Sequence, residues 1–219
     1  MLVFDPRSAG VSADMILGAL LGLGAETRSV EANLRALDED VFVEKADVAK
    51  GEILAVEARI RVKERGFSGF SELEGLMERI LYEGELPVKR WNHCFAVLKT
   101  LENAADAEFT YGSQTIADII GVVTCLNELG AFDKDILSFP VAVGIPQTEN
   151  QGIAVMKMLK REELFVRKGV ENELSTPTGV ALLLNVAEFV ENCNAMGREV
   201  YGAGKKEFSF PNVLKVIQV

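Results

Sequence analysis

Two carboxylates and two hydroxyls surround a short glycine-containing loop near the start of the sequence. Asp5 and Ser8 precede Gly10, and Ser12 and Asp14 follow it. The loop lies between an apolar tripeptide typical of a buried strand and an apolar run typical of a helix. Backbone N–H groups at a helix N-terminus attract anions, and carboxylates are good ligands for hard cations. The pattern predicts an anion site in which Asp5 and Asp14 hold a metal ion beside a phosphate.

Ordinary turn and capping residues explain the same segment without a ligand. Asp5-Pro6 fits a turn, Ser12 fits the N-cap of the helix, and Asp14 fits a first-turn acid that interacts favourably with the helix dipole. The sequence leaves both interpretations open.

A second candidate, Ser175–Gly179, combines hydroxyls with a helix start. Thr176 fits the N-cap, Pro177 fits the first helical position, and Gly179 permits close approach of a ligand or another backbone. The hydroxyls of Thr176 and Thr178 either bind phosphate at the helix N-terminus or cap the helix without a ligand.

A third candidate, Tyr201–Lys206, places Gly202 and Gly204 next to two lysines and before the last apolar strand. It lacks the G-x-x-x-x-G-K-[ST] pattern of a P-loop, and a strand follows it instead of a helix. Taken alone, the segment predicts a bulge or a tight turn.

Imidazole and thiolate ligands are scarce, because the chain has one histidine, His93, and three widely spaced cysteines. These counts exclude a disulfide framework and a zinc- or copper-type site built from imidazoles within one copy of the chain. His93 lies off the apolar stripe of its helix, so we interpret it as a surface residue. Cys94, Cys125 and Cys193 are interpreted as small apolar side chains.

Apolar periodicity predicts the elements that position these residues. A strand at residues 2–4 leads into a helix at 13–23, and residues 41–50 and 52–62 alternate as an antiparallel hairpin. Thr115 with Asp118 matches a capping box at the start of a very apolar helix, which gives Asp118 a structural role. A glycine-rich loop at 202–204 precedes the final strand. We predict an α/β (mixed α+β) fold, in which several apolar helices pack on a mixed sheet of short strands.

Length and charge narrow the class of protein. The chain has 219 residues, 48% of them apolar and 26% charged, which predicts a soluble globular domain at 1–219, with a split into two subdomains near 63–70 as the alternative. Its net charge of -10 argues against nucleic acid as a partner. No signal-peptide or membrane-spanning pattern is visible, so we expect a cytoplasmic protein. The apolar content also leaves room for a homodimer face.

Three separated segments together resemble the LarC family of nickel insertion proteins. Phe4–Met15 with Leu17–Leu20 is similar to the family pattern F-D-x-x-S-G-x-S-G-D-M followed by L-G-A-L. Leu174–Ala181 resembles a T-P-T-G-A-A helix start, and Tyr201–Gly204 with Pro211–Val216 resembles G-Y-G-A-G followed by R-P-N-V-L-R-V. The order of the segments agrees along the whole chain.

The chain also departs from the family pattern. Histidine-containing segments are expected at Lys63–Gly69 and Phe109–Ser113, and a Cys-x-His-Gly step is expected where Thr148–Gly152 lies. None of the three contains histidine or cysteine. The sequence also matches only the N-terminal part of a full-length member, without the C-terminal domain associated with a cytidine nucleotide.

The resemblance implies a role in inserting nickel into the pyridinium-3,5-bisthiocarboxylate mononucleotide, as a metal chelatase or lyase-type step. A partner chain would supply the second domain, together with Mg or Mn and a nucleotide, and the ligand would be a phosphorylated small molecule. The residues expected to bind it are Asp5, Ser8, Ser12, Asp14, Thr176, Thr178, Gly179, Gly202 and Gly204. The alternatives are a non-catalytic binding or scaffold protein that has lost its metal ligands, and a Mg- or Mn-dependent enzyme acting on a phosphate ligand.

Overall fold

A computed structural model describes residues 1–105, 111–145 and 149–219, which form nine strands and seven helices. The strands are β1 (Leu2–Asp5), β2 (Phe42–Lys50), β3 (Ile53–Arg61), β4 (Ile136–Ser138), β5 (Val141–Val143), β6 (Phe165–Arg167), β7 (Glu188–Phe189), β8 (Arg198–Ala203) and β9 (Val213–Gln218). The helices are α1 (Ala13–Leu23), α2 (Thr27–Leu34), α3 (Phe70–Glu83), α4 (Val88–Ala104), α5 (Ser113–Glu128), α6 (Glu149–Met158) and α7 (Pro177–Val186). The predicted mixed α and β architecture is confirmed.

Seven strands form one mixed sheet in the order β2-β3-β8-β9-β1-β4-β7, and β5 and β6 form a separate parallel pair. β1 lies inside the sheet, antiparallel to β9 and parallel to β4. The loop that follows Asp5 therefore begins at an interior position of the sheet, where neighbouring elements surround it on several sides.

The predicted hairpin is confirmed. β2 pairs antiparallel with β3, and Val43 lies opposite Ile60. Ala58 and Ile60 are buried, whereas Arg59 and Arg61 are exposed. This alternation buries one face of the ribbon, as a period of two residues requires.

Helix α1 lies across β3, β8 and β9. Gly202 is central to this contact, because a Cβ at that position would overlap the carbonyl oxygen of Met15. The prediction of a loop at Gly202 is wrong, since this residue pairs with Leu214 and Val56 inside the sheet. Glycine is needed here for close helix packing and does not mark a turn.

The capping box predicted at Thr115 and Asp118 is also wrong. Helix α5 begins at Ser113, two residues before Thr115. The Ser113 hydroxyl donates to the Lys63 carbonyl at 2.9 Å and accepts from the Arg65 N–H at 2.7 Å. These tertiary bonds set the helix start and leave Asp118 inside the helix, free of a capping role.

The main apolar cluster includes Phe4, Leu20, Met77, Val97 and Val180. It therefore takes residues from both sides of segment 63–70, and the division into subdomains stays a prediction. Among the described residues, no helix is both long enough and apolar enough to cross a bilayer.

Candidate functional site

The N-termini of α1 and α7 lie side by side. A Cβ at Gly179 would lie 2.7 Å from the Ser12 Cα, so the two backbones touch there. The Thr176 N–H donates to the Val11 carbonyl at 2.9 Å. The buried Ser175 hydroxyl accepts from the Val11 N–H at 3.0 Å. Two segments from opposite ends of the chain are thereby held in one place.

A cavity of about 280 Å³, called here the α1–α7 cavity, opens beside these two helix starts. Residues of the connection between β8 and β9, together with Asp118 of α5, complete its lining. Five of the residues expected from the sequence to bind a ligand line it: Ser12, Asp14, Thr176, Thr178 and Gly204.

The two helix starts differ in how they are capped. The Thr176 hydroxyl accepts from the Gly179 N–H at 3.2 Å, and Pro177 occupies the first helical position, as predicted. Ser12 occupies the N-cap position of α1, but its side chain makes no capping hydrogen bond. The first N–H groups of α1, at Ala13, Asp14 and Met15, therefore have no partner within the helix and leave a positive dipole end at the cavity.

Two lysines that follow β8 neutralise acidic side chains of the cavity. Lys205 Nζ lies 3.4 Å from Asp14 Oδ2. Lys206 Nζ lies 3.6 Å from a Glu173 carboxylate oxygen and donates to the Glu173 carbonyl at 3.1 Å. Both lysines are about half exposed, so their ammonium groups can reach an incoming anion, whereas the side chains of Asp14 and Glu173 are only 15% and 13% exposed.

Asp118 is a cavity residue that sequence reasoning missed, because the local pattern explained it as a cap. It lies on α5, which packs against α1, and its carboxylate accepts from Gln114 Nε2 at 2.8 Å. Burial raises the pKa of Asp118 to about 7, and the charge of Asp14 adds to this increase, whereas the bond from Gln114 opposes it.

Asn212 is a second cavity residue that the sequence did not single out, although it lies within the Pro211–Val216 motif. It is only 5% exposed. Its Nδ2 donates to the Lys206 carbonyl at 2.8 Å, which fixes the orientation of the amide. Its Oδ1 is buried and has no hydrogen-bond partner among the described residues. An unpartnered buried acceptor in a cavity wall calls for a ligand donor, a water or a cation.

Asp5 and Ser8 line a different cavity, of about 540 Å³, together with Tyr201 and Lys215. The Arg7 guanidinium donates to both Asp5 carboxylate oxygens at 2.8 Å. Burial acts to raise the pKa of Asp5, but the hydrogen bonds and charge of Arg7 outweigh it and hold the pKa below its usual value. The structure does not bring Asp5 and Asp14 into one cavity, so their predicted joint cation site gains no support from the geometry.

The family model for nickel insertion proteins matches residues 2–218. The chain belongs to this family. Two curated relatives with the name "Putative nickel insertion protein" illustrate the match. The one from Methanosarcina mazei is 32% identical over 242 aligned positions, covering 100% of this chain and 59% of the relative. The one from Methanopyrus kandleri is 28% identical over 239 aligned positions, covering 99% of this chain and 60% of the relative. The chain thus spans about three-fifths of the length of these relatives. No solved structure gives a significant match.

The histidine and two of the three cysteines are poorly placed as soft ligands for nickel in this member of the nickel insertion family. His93 stacks on Phe132 with ring centroids 4.3 Å apart. Cys94 and Cys125 are buried, and burial raises the pKa of both thiols, to about 12 for Cys94, which disfavours thiolates. Within the described ranges, no group of three or more His, Cys, Asp or Glu residues is arranged to hold a metal ion. Of the segments where the family pattern has histidine, residues 109–110 and 148 lie outside the described residues.

Proposed function

We propose that the α1–α7 cavity binds the phosphate of the pyridinium-3,5-bisthiocarboxylate mononucleotide, and that the chain holds this acceptor while nickel is inserted. Membership of the nickel insertion family supports the reaction. The cavity supports the ligand class, because it combines free helix N–H groups with the Ser12 and Thr178 hydroxyls and two lysines.

The observation that carries this proposal is the convergence of two helix N-termini, one of them uncapped, on a single cavity. Both helix dipoles favour negative charge at the same place, and backbone N–H groups are suited to phosphate oxygens. A volume of about 280 Å³ lies near the lower end of the range of small-molecule sites. It is suited to one phosphate ester with a small body.

The scarcity of imidazole and thiolate side chains is consistent with a chain that holds the acceptor and does not itself ligate nickel. The two thiocarboxylate groups of the acceptor themselves supply soft sulfur donors for nickel, which is cargo here. The chain then needs to hold and orient the acceptor. A partner chain in the cytoplasm carries the nucleotide-associated functions of the family, in a lyase-type insertion step.

A scaffold without ligand binding is the second candidate. It is favoured by the lack, in the part of the chain that the structure describes, of a cluster of three metal-ligating side chains. The two candidates differ in one measurable property, the binding of a phosphorylated pyridinium.

Isothermal titration with nicotinic acid mononucleotide, in buffer containing MgCl2, tests the proposal. We expect saturable binding that weakens about ten-fold or more in Lys205→Met and Lys206→Met, because each removes a charged partner of the phosphate. Lys168→Met, which alters the Asp5 cavity instead, is the matched control and should bind normally. A second titration adds NiCl2, and nickel should bind more tightly once the bisthiocarboxylate mononucleotide is present. Absence of binding to both pyridinium ligands would favour the scaffold.

A further inference from the structure

The charges of the α1–α7 cavity do not suit a phosphate alone. Three carboxylates line it, at Asp14, Asp118 and Glu173, against the two ammonium groups of Lys205 and Lys206. With every group ionised, three negative and two positive charges leave one net negative charge. A phosphate dianion would add two more in a partly enclosed site, where uncompensated charge is costly. A divalent cation that enters with the phosphate restores the original balance.

The oxygens of the cavity offer a place for such a cation. Asp14 at the start of α1 and Asp118 on α5 both line this cavity, and the charge of Asp14 contributes to the raised pKa of Asp118. Independently, Asn212 lines the same cavity, and its buried Oδ1 has no hydrogen-bond partner among the described residues. Carboxylate and amide oxygens are the ligands that hard cations prefer, and a cation satisfies an acceptor that has no donor.

We propose that Asp14, Asp118 and the Oδ1 of Asn212 form a site for a hard divalent cation, Mg²⁺ or Mn²⁺, that is completed by a phosphate oxygen of the bound ligand. This inference rests on the proposed function for its phosphate, but the cation is an addition to it. Mg²⁺ is commonly held by one or two carboxylates plus the phosphates of a substrate, and keeps several waters. Two carboxylates are therefore sufficient here, although no group of three is found among the described residues.

Lys205 changes its ionic partner when the cation binds. In the structure it neutralises Asp14 at 3.4 Å. When the cation binds Asp14, the ammonium group is released and turns to the phosphate that arrives with the cation. Cation and phosphate then strengthen each other's binding, because each neutralises charge in the cavity that would otherwise disfavour the other.

The experiment is an electron paramagnetic resonance titration of the full chain with Mn²⁺, first alone and then with nicotinic acid mononucleotide. We expect weak binding of Mn²⁺ alone and at least about ten-fold tighter binding with the mononucleotide. Asp14→Asn and Asp118→Asn should each weaken Mn²⁺ binding by about ten-fold or more, since each loses a direct ligand. Asp5→Asn is the matched control and should bind Mn²⁺ as the parent does. Circular dichroism establishes that each variant is folded.

Three results would overturn the inference: no Mn²⁺ binding with the mononucleotide, unchanged binding in both Asp14→Asn and Asp118→Asn, or a loss in Asp5→Asn alone. Titration of the mononucleotide in EDTA separates this inference from the proposed function. Equal affinity in EDTA and in MgCl2 leaves the phosphate site standing and removes the cation. Absence of mononucleotide binding under both conditions removes the proposed function, while the response of Mn²⁺ alone to Asp118→Asn still decides the cation site.

Discussion

Gly179, in the first turn of α7, touches the backbone of Ser12 at the start of α1. No other residue type fits without displacing one of the helices, because a Cβ at 179 would also lie 2.7 Å from the Val11 carbonyl oxygen. This contact brings two helix N-termini to one cavity, and the proposed phosphate site depends on it.

Gly179→Ala should destabilise the chain by about 1–3 kcal/mol, because the added methyl meets backbone atoms that cannot rotate away. It should also weaken mononucleotide binding by separating the two helix starts. Urea unfolding and titration calorimetry measure the two effects. The matched control is Gly75→Ala on α3, where a Cβ would meet nothing within 4 Å. This substitution should stabilise the helix by about 0.5–1 kcal/mol. Equal effects at the two positions would contradict the packing argument.

Ser175→Ala should cost about 1–3 kcal/mol, because it leaves the buried Val11 N–H and the Ala142 carbonyl without their hydroxyl partner. Chemical denaturation measures this loss. Ser71→Ala, at an exposed position on α3, serves as the control and should change the free energy of unfolding by less than about 0.5 kcal/mol. A neutral Ser175→Ala variant would mean that this hydroxyl does not hold the loop after β1 in place.

Stability should depend on pH through Asp118. Its pKa is about 7 in the folded chain and about 4 in an unfolded one. Between these values the folded state keeps a proton that the unfolded state loses, so the free energy of unfolding falls as pH rises from about 4 to about 7. Asp118→Asn removes the titrating carboxyl group, and with it this fall in the free energy of unfolding. In EDTA, urea unfolding should show the variant more stable than the parent by about 1–3 kcal/mol at pH 8, with a smaller difference at pH 5. A difference independent of pH would contradict a raised pKa.

Local patterns were sufficient for the parts of the site that local forces determine. The start and end of α1, the hairpin of β2 and β3, and the Thr176 cap with Pro177 were all predictable, because each depends on periodicity or on neighbouring residues. The family also followed from the spacing of three motifs. The ion pair of Asp5 with Arg7 joins two residues that are two positions apart in the sequence, so it too is a local contact.

The rest of the site depends on contacts between distant segments. Asp118 fitted a capping box, and only the bonds of Ser113 to residues 63 and 65 show that the helix begins earlier. Gly202 fitted a turn because glycine is rare in strands, yet its place under α1 requires a residue without a side chain. Asn212 carries no local signal at all, since its unpartnered oxygen results from the packing around it.

Amide chemical shifts of the ¹⁵N-labelled chain, recorded as nicotinic acid mononucleotide is added with MgCl2, test the central claim most directly. The uncapped amides of Ala13, Asp14 and Met15 should show the largest changes. The amides of Lys168 and Lys215, which line the Asp5 cavity, should stay in place. Large changes at those two lysines with none at the start of α1 would contradict the account.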